Sequence, residues 1–157
     1  MQPANEKFWE NKRVLLTGHS GFKGSWSSIL LSQLGANLAG LSLPPNTNPS
    51  LFEIANVESL CDSYFQDIRD LESLRNLISQ IEPEIIIHMA AQPLVLERYN
   101  DPVGTHLTNI IGTANILEAA RELRSIKAIL CITTDKVYEN LNTLEPYKEN
   151  DKLGGYD

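Results

Sequence analysis

The sequence has few of the features that mark secreted, membrane-bound or disulfide-rich proteins. Its 157 residues include two cysteines, Cys61 and Cys131, too few and too far apart for the disulfide framework of a small secreted domain. No apolar run approaches the ~20 residues of a membrane-spanning helix, and the opening MQPANEKFWENKR contains no apolar signal segment. We therefore predict a soluble, cytoplasmic protein whose two cysteines are buried free thiols.

Positive charge is also scarce. Lys and Arg number 13 against 20 Asp and Glu, which gives a formal net charge of -7 and a pI near 4.9. A dedicated nucleic-acid-binding protein needs an excess of cations facing the phosphates, so the charge balance argues against that class. The three histidines, His19, His88 and His106, stand far apart. Since no group of side chains has metal-ligand spacing, no metal site is predicted.

The apolar residues that are present alternate between strand and helix patterns. Short apolar runs predict strands at Val14–Leu16, Leu38–Leu43, Cys61–Gln66, Ile85–Met89 and Ile126–Thr133. Helical spacing predicts helices from Phe22 to Leu34, from Leu71 to Ile81 after Asp70, and through Leu107, Ile110, Ile111, Ala114 and Leu117. Strands separated by helices of this length predict an α/β fold with a doubly wound, Rossmann-like parallel sheet.

A glycine-rich segment joins the first strand to the first helix. Residues 17–25 read T-G-H-S-G-F-K-G-S, with Gly18, Gly21 and Gly24 three residues apart. Unpaired N–H groups and the positive end of the helix dipole meet at such a turn, which predicts diphosphate binding. A P-loop ATPase is the weaker alternative, because Lys23-Gly24 interchanges the Gly-Lys order that a P-loop requires.

The region after the glycine loop favours NAD over NADP. A dinucleotide site usually has an acid on the ribose about 20 residues further on, where this chain has Leu43-Pro44-Pro45-Asn46. Asn46 or Asn48 would replace it with weaker hydrogen bonds, which predicts modest affinity. No Lys or Arg lies between Lys23 and Arg69, so a 2′-phosphate has no nearby cation in sequence.

Three loops are expected to meet at one edge of the sheet. In a 3-2-1-4-5 strand order, the central strands exit into 17–24, Ala90-Ala91-Gln92-Pro93 and Thr133-Thr134-Asp135-Lys136. The alanines leave room for a cofactor, although a tight strand exit explains them equally well. Asp67-Ile68 offers an acid for an adenine amino group or for capping the next helix. The hydroxyl, carboxyl and amine of residues 134–136 favour chemistry over a solvated loop.

Together these motifs resemble the extended short-chain dehydrogenases and, within them, the sugar-nucleotide 4,6-dehydratases that act on CDP-glucose. The resemblance covers essentially the whole chain. It is carried by TGHSGFKGSW, PSLFE, DIRD, HMAAQP, TNIIGT, TTDK-x-Y and the closing GGYD. Related dehydratases that act on other nucleotide sugars have Thr-Asp-Glu where this chain has Thr134-Asp135-Lys136.

The resemblance implies an internal redox reaction on a nucleotide sugar, with NAD as cofactor. The sugar is oxidised at C4, water leaves across C5–C6, and hydride returns to C6. Thr134 would hydrogen-bond the C4 oxygen, a protonated Asp135 would protonate the leaving hydroxyl, and Lys136 would remove the C5 proton as a neutral amine. The cofactor contacts that it implies are Gly18, His19, Gly21, Phe22, Lys23, Gly24, Asp67, Ile68, Ala90, Ala91, Gln92 and Thr108.

The chain departs from the family at its C-terminus. The Tyr-x-x-x-Lys pair that follows GGYD in the family, and the half that holds the nucleotide base, are both absent from the 157 residues. We therefore interpret residues 1–157 as the N-terminal, NAD-binding domain, ending before the substrate domain and inactive alone. Another extended short-chain enzyme, such as a nucleotide-sugar epimerase, and a non-catalytic NAD-binding module remain alternatives.

The long helical pattern also bears on assembly. The apolar stripe between Thr105 and Arg124 would pair with its copy in a homodimer, as the resemblance implies. His88 is interpreted as a core strand residue and His106 as a helix residue.

Overall fold

The structure is a computed structural model that describes residues 6–134, 137–142 and 144–154. The strands are β1 Arg13–Thr17, β2 Asn37–Ser42, β3 Asp62–Phe65, β4 Ile85–His88 and β5 Ala128–Cys131. The α-helices are α1 Glu6–Trp9, α2 Phe22–Gln33, α3 Leu51–Ile54, α4 Leu71–Ile81, α5 Val95–Asn100, α6 Pro102–His106 and α7 Thr113–Ala120. A 3₁₀ helix spans Val57–Leu60, and a π-helical segment, Leu107–Gly112, joins α6 to α7.

The five strands form one parallel sheet in the order β3-β2-β1-β4-β5. This order confirms the predicted doubly wound α/β fold. The register places Thr17 opposite Leu41 in β2 and His88 in β4, and His88 opposite Cys131 in β5. The carboxyl ends of the central strands therefore lie side by side, where the strand order reverses.

Each face of the sheet has its own apolar layer, because successive side chains of a strand point to opposite faces. Leu15 packs with Leu74 of α4 and Ile116 of α7 on one face. Leu16 packs with Leu31 of α2 on the other face. The helices that follow β3 and β4 thus cover one face, and the helix that follows β1 covers the opposite one.

The predicted helix over residues 71–81 is confirmed, and its ends have identifiable causes. The Asp70 carboxylate accepts a hydrogen bond from the Ser73 backbone N–H at 3.1 Å and so caps the N-terminus. The helix ends at Glu82, which adopts a left-handed conformation with φ 47°, immediately before Pro83. Its buried residues are Leu74, Leu77 and Ile78.

The helix predicted from Phe22 onward is present as α2, but its apolar stripe does not face the sheet. Phe22, Trp26 and Leu30 are 71%, 54% and 52% exposed. The buried face consists of Gly24, Ser25, Ser28 and Leu31. Small residues on this face let α2 approach the glycine loop closely, which an apolar stripe of large side chains would prevent.

The long helix after β4 is also present, divided into α6, the π-helical segment and α7. Its predicted stripe faces outward: Leu107, Ile110, Ile111 and Leu117 are 42–58% exposed. Its buried positions are Thr105, Gly112, Ile116, Ala119 and Ala120. Within the described ranges, no helix is long and apolar enough to cross a membrane.

The two cysteines are free, as expected, but each is only partly buried. The Cys61 thiol lies 3.4 Å from the Ser63 hydroxyl, and burial raises its pKa. The prediction of free thiols is confirmed, and the prediction that they are buried is wrong: Cys61 lies just before β3 and Cys131 lies on β5, the two edge strands of the sheet in the described part of the chain.

The segment after residue 136 is predicted as an aperiodic loop. In its described part, residues near its start contact residues near its end. Tyr138 and Leu153 form an isolated antiparallel bridge, beside a hydrogen bond from Glu139 N to Lys152 O of 2.9 Å. The rings of Tyr138 and Tyr147 stack with their centroids 5.0 Å apart. The loop therefore folds back on itself beyond β5.

Candidate functional site

The structure brings the exits of β1 and β4 into contact. Gly18, the first residue after β1, has φ +79°, and a Cβ placed on it would lie 2.9 Å from Ala90 N. Its own N–H bonds Leu41 O of β2 at 2.7 Å. A residue with a side chain would be strained here and would collide with the β4 exit. Glycine at this position therefore allows the two loops to lie side by side.

The glycine loop leaves the N-terminus of α2 open. A Cβ on Gly24 would lie 2.0 Å from Gly18 O, so the helix begins directly against the loop. Gly21 occupies the N-cap position and has no side chain with which to cap the first turn, which also contains no acidic residue. The free N–H groups and the dipole of this twelve-residue helix suit a diphosphate. Phe22 and Lys23 are exposed on that first turn.

His19 does not present its side chain to this opening. The ring is fully buried, with Nδ1 3.0 Å from Ser42 Oγ and Nε2 3.1 Å from Ser63 Oγ. Phe52 and Phe65 lie against it, and burial lowers its pKa to about 4. The imidazole is therefore enclosed beneath β2 and β3 and does not face the opening, and only a backbone contact of His19 with a diphosphate stays a prediction.

The segment Ala90–Gln92 forms the other side of the opening. Ala91 is exposed and Ala90 is half-buried, which leaves space beside the glycine loop. Gln92 N donates to Asn109 Oδ1 at 2.8 Å, and Asn109 Nδ2 donates to Gln92 O at 3.0 Å. The Gln92 side chain bonds Leu94 at both its oxygen and its nitrogen. The Gln92 amide therefore supports its own loop, and the half-buried Thr108 precedes Asn109 on the π-helical segment.

Asp67 and Ile68 lie at the exit of β3, and both have partners within the protein. The Asp67 carboxylate binds the Arg69 guanidinium, which lowers the pKa of Asp67. The Ile68 side chain is buried, and its Cδ1 would lie 2.5 Å from a Cβ on Gly112. Its carbonyl accepts from Asn115 Nδ2 at 3.1 Å. Asp70, and not Asp67, caps the next helix.

The third loop is described only in part. Thr134 is exposed at the exit of β5, while Asp135 and Lys136 lie outside the described residues. Their assignment as catalytic residues therefore stays a prediction. Across the described ranges, no group of three His, Cys, Asp or Glu side chains could hold a metal ion.

Sequence reasoning missed several polar residues that shape this region. Thr17, Asn109 and Thr113 were assigned no role, and His88 was interpreted only as a core strand residue. His88 is indeed buried, at 3% exposure, but Thr17 Oγ1 lies 2.7 Å from its Nδ1. The sequence offered one signal for this contact: an apolar run ends in a polar residue in each of two strands predicted to be neighbours, at Thr17 and at His88.

Comparison with known proteins agrees with this architecture. The CDP-glucose 4,6-dehydratase of Salmonella typhimurium is 48% identical over 153 residues, covering 98% of this chain and 43% of that protein. A UDP-glucose 4-epimerase from Brucella ovis, solved in complex with NAD, matches with a TM-score of 0.75 and 25% identity, over 92% of this chain and 42% of that one.

A second solved structure matches a similar share of this chain. The UDP-glucose 4-epimerase of Thermotoga maritima, solved with UDP-glucose, matches with a TM-score of 0.76 and 26% identity, over 90% of this chain and 44% of that one. The chain thus spans less than half the length of these relatives. A family model described as GDP-mannose 4,6 dehydratase matches residues 15–155. The chain therefore belongs to the GDP-mannose 4,6 dehydratase family.

Proposed function

We propose that the protein is an NAD-dependent sugar-nucleotide dehydratase and that residues 1–157 form its cofactor-binding domain. The observation that carries the proposal is the open N-terminus of α2, set against a glycine loop that touches the β4 exit. Gly18 and Gly24 can carry no side chain there, since a Cβ would lie 2.9 Å and 2.0 Å from backbone atoms. Such an opening between two strand exits suits a dinucleotide.

CDP-glucose is the proposed substrate, because the Salmonella relative with 48% identity acts on it by name. When bound, NAD would accept a hydride from the sugar and later return it. In our proposal Thr134 hydrogen-bonds the C4 oxygen of the sugar, Asp135 protonates the departing C6 hydroxyl, and Lys136 removes the C5 proton. The last role requires a neutral amine, whose pKa neighbouring positive charge or burial would lower.

NAD is proposed over NADP because cations are scarce around the expected ribose position. No Lys or Arg lies between Lys23 and Arg69, and the Arg69 guanidinium is held by Asp67. Ser42, at the end of β2, is buried against His19. From residue 24 to residue 68 the chain therefore offers a 2′-phosphate no guanidinium or ammonium group, and the next cation, Arg69, is already paired.

The test is a calorimetric titration of the 157-residue chain with NAD, NADP and Mg-ATP in parallel. NAD is expected to bind, with an affinity well above that of NADP. Binding of Mg-ATP alone would contradict the proposal in favour of a P-loop activity. If NAD does not bind, the chain does not form the cofactor-binding domain proposed here.

The proposed chemistry has a separate test. In a full-length protein containing these residues, Lys136→Met is expected to abolish dehydration of CDP-glucose, since a thioether has no basic group that could remove the C5 proton. Lys148→Met makes the same change at an exposed position and is the control. Undiminished dehydration by the Lys136 variant would contradict the assignment, and formation of a C4 epimer would favour an epimerase.

We also propose that the protein acts as a homodimer, with the outward stripe of the long helix at the contact. Val103, Leu107, Ile110 and Ile111 line a shallow apolar groove and are 42–68% exposed. Apolar side chains at i, i+3 and i+4 on one helix form a face that a second helix can cover.

A further inference from the structure

A buried chain of hydrogen bonds runs beneath the proposed cofactor opening, with His88 at its centre. His88 Nδ1 lies 2.7 Å from Thr17 Oγ1, and His88 Nε2 lies 3.0 Å from Thr113 Oγ1. The side chain is 3% exposed. Thr17 is on β1, His88 on β4 and Thr113 on α7, so one imidazole joins three elements.

The partners of the two threonines determine the direction of these bonds. Thr113 Oγ1 donates to Asn109 O at 2.8 Å, so it accepts from His88 and Nε2 carries the proton. Thr17 Oγ1 accepts from Ala90 N at 3.0 Å and shares the Met89 N–H, 3.1 Å away, with Thr17 O at 3.2 Å. Because Nε2 carries the proton of the neutral ring, Nδ1 is an acceptor, and the Thr17 hydroxyl donates to it.

A neutral imidazole meets these demands, because it has one donor and one acceptor. Burial lowers the pKa of His88, which favours that neutral form at pH 7. The bonds then all run one way, from Thr17 through His88 and Thr113 to the carbonyl of Asn109. Each side-chain polar atom in this series of hydrogen bonds has a partner.

The two ends of this chain of bonds hold the two sides of the opening. Thr17 immediately precedes Gly18 and binds the backbone of Met89 and Ala90. Asn109 binds both backbone groups of Gln92. The end of β1 that leads into the glycine loop and the helical segment that holds Gln92 are therefore linked through the His88 ring.

We propose that His88 is a positioning residue that fixes the spacing of the glycine loop and the Ala90–Gln92 segment. The inference rests on the proposed function in one respect, namely that NAD occupies the space between them. Its structural part concerns the tautomer of His88 and the hydrogen bonds of Met89 and Ala90, which exist with or without the cofactor.

The proposal predicts what happens when the Thr113 hydroxyl is removed. Thr113→Val replaces it by a methyl group of similar size and leaves Nε2–H without its acceptor. A shift to the Nδ1–H tautomer would give the ring proton an acceptor in Thr17 Oγ1, but it would leave the Thr17 hydroxyl proton without one. With either tautomer one buried donor has lost its acceptor, so the ring and Thr17 must shift, which weakens the bond from Met89 or Ala90 to Thr17 Oγ1.

The experiment compares three variants of the 157-residue chain. Thr113→Ser keeps the hydroxyl and should restore the wild-type state. Ile116→Val, one turn away on the fully buried face, reduces packing without touching the hydrogen bonds and controls for lost stability. The measurements are the nitrogen chemical shifts of the His88 ring, amide hydrogen exchange at Met89 and Ala90, and the dissociation constant for NAD.

For Thr113→Val we expect altered nitrogen chemical shifts of the His88 ring, faster exchange at Met89 or Ala90, and roughly tenfold weaker NAD binding, as for one lost hydrogen bond. Thr113→Ser and Ile116→Val should resemble the wild type in all three. Wild-type nitrogen shifts of the His88 ring and wild-type exchange in Thr113→Val would overturn the proposal, as would equal effects in Ile116→Val. If the wild type does not bind NAD, the proposed function fails for this chain, and the tautomer and the amide exchange still decide the role of His88.

Discussion

His19 shows at the scale of a single residue how burial changes the role of a polar side chain. In the sequence, an imidazole between two glycines of the glycine loop suggests contact with an anion. In the structure both of its nitrogens bond serines of β2 and β3, and Gly40 leaves room for the ring, since a Cβ there would lie 2.3 Å from it. His19 thus anchors the glycine loop to the sheet from below.

This burial predicts a pH dependence of stability. Burial lowers the pKa of His19 from 6.5 to about 4, so between these values the unfolded chain binds the proton more tightly than the folded one. The contribution of His19 to stability is therefore complete above pH 6.5 and is lost as the pH falls towards 4. The full loss is about 3 kcal/mol at most.

Urea unfolding at several pH values checks this expectation. In His19→Asn the free energy of unfolding should be lower at pH 7 but should vary less between pH 6.5 and 4 than in the wild type. His106→Asn removes an exposed histidine on α6 and is the control. An unchanged pH dependence in His19→Asn would contradict the burial argument.

At the scale of elements, the junction of the glycine loop and α2 depends on contacts that permit no side chain. Gly24 and Gly21 lie three residues apart but differ in their surroundings. A Cβ on Gly24 would lie 2.0 Å from Gly18 O, whereas a Cβ on Gly21 would lie 3.3 Å from the same atom. Gly21 has φ -76°, which any residue can adopt.

The two glycines therefore predict effects of different size for the same substitution. Gly24→Ala should lower the free energy of unfolding by about 2 kcal/mol or more, because backbone must move to relieve the overlap. Gly21→Ala should change it by less than about 1 kcal/mol. Urea unfolding of both variants measures the difference, and similar stabilities would show that the close approach of α2 to the loop is not required.

At the scale of the whole molecule, much apolar surface lies on the outside of the long helix. Ile110 is 58% exposed and Leu107 is 42% exposed, on the stripe proposed to pair in a homodimer. At the β5 edge of the sheet, Leu130 is also 53% exposed. Large exposed apolar patches are typical of surfaces that bind another protein or another part of the chain.

The dimer proposal predicts that Ile110→Glu yields a monomer, since two buried carboxylates would face each other across the contact without partners. Light scattering measures the mass. Ile54→Glu makes the same change at a residue of α3 that is 71% exposed and should leave the mass of a dimer unchanged. A monomeric wild type, or a dimeric Ile110→Glu variant, would rule out this contact.

Local sequence determined the elements whose causes lie within a few residues. The five strands and helix α4 follow from apolar periodicity and from the Asp70 cap, and the glycine loop is evident from three glycines at fixed spacing. The short elements α1, α3 and α5 and the 3₁₀ helix were missed, because four to six residues are too few to show an apolar periodicity.

Only the tertiary structure decided which face of a helix packs and where each polar ring points. The stripe of Phe22, Trp26 and Leu30 is more apolar than the buried face of α2, yet close approach to the glycine loop requires small residues on the packed side. His88 meets Thr17 across 71 positions of sequence and Thr113 across 25. Such contacts depend on strand order and register, which neighbouring residues along the chain do not encode.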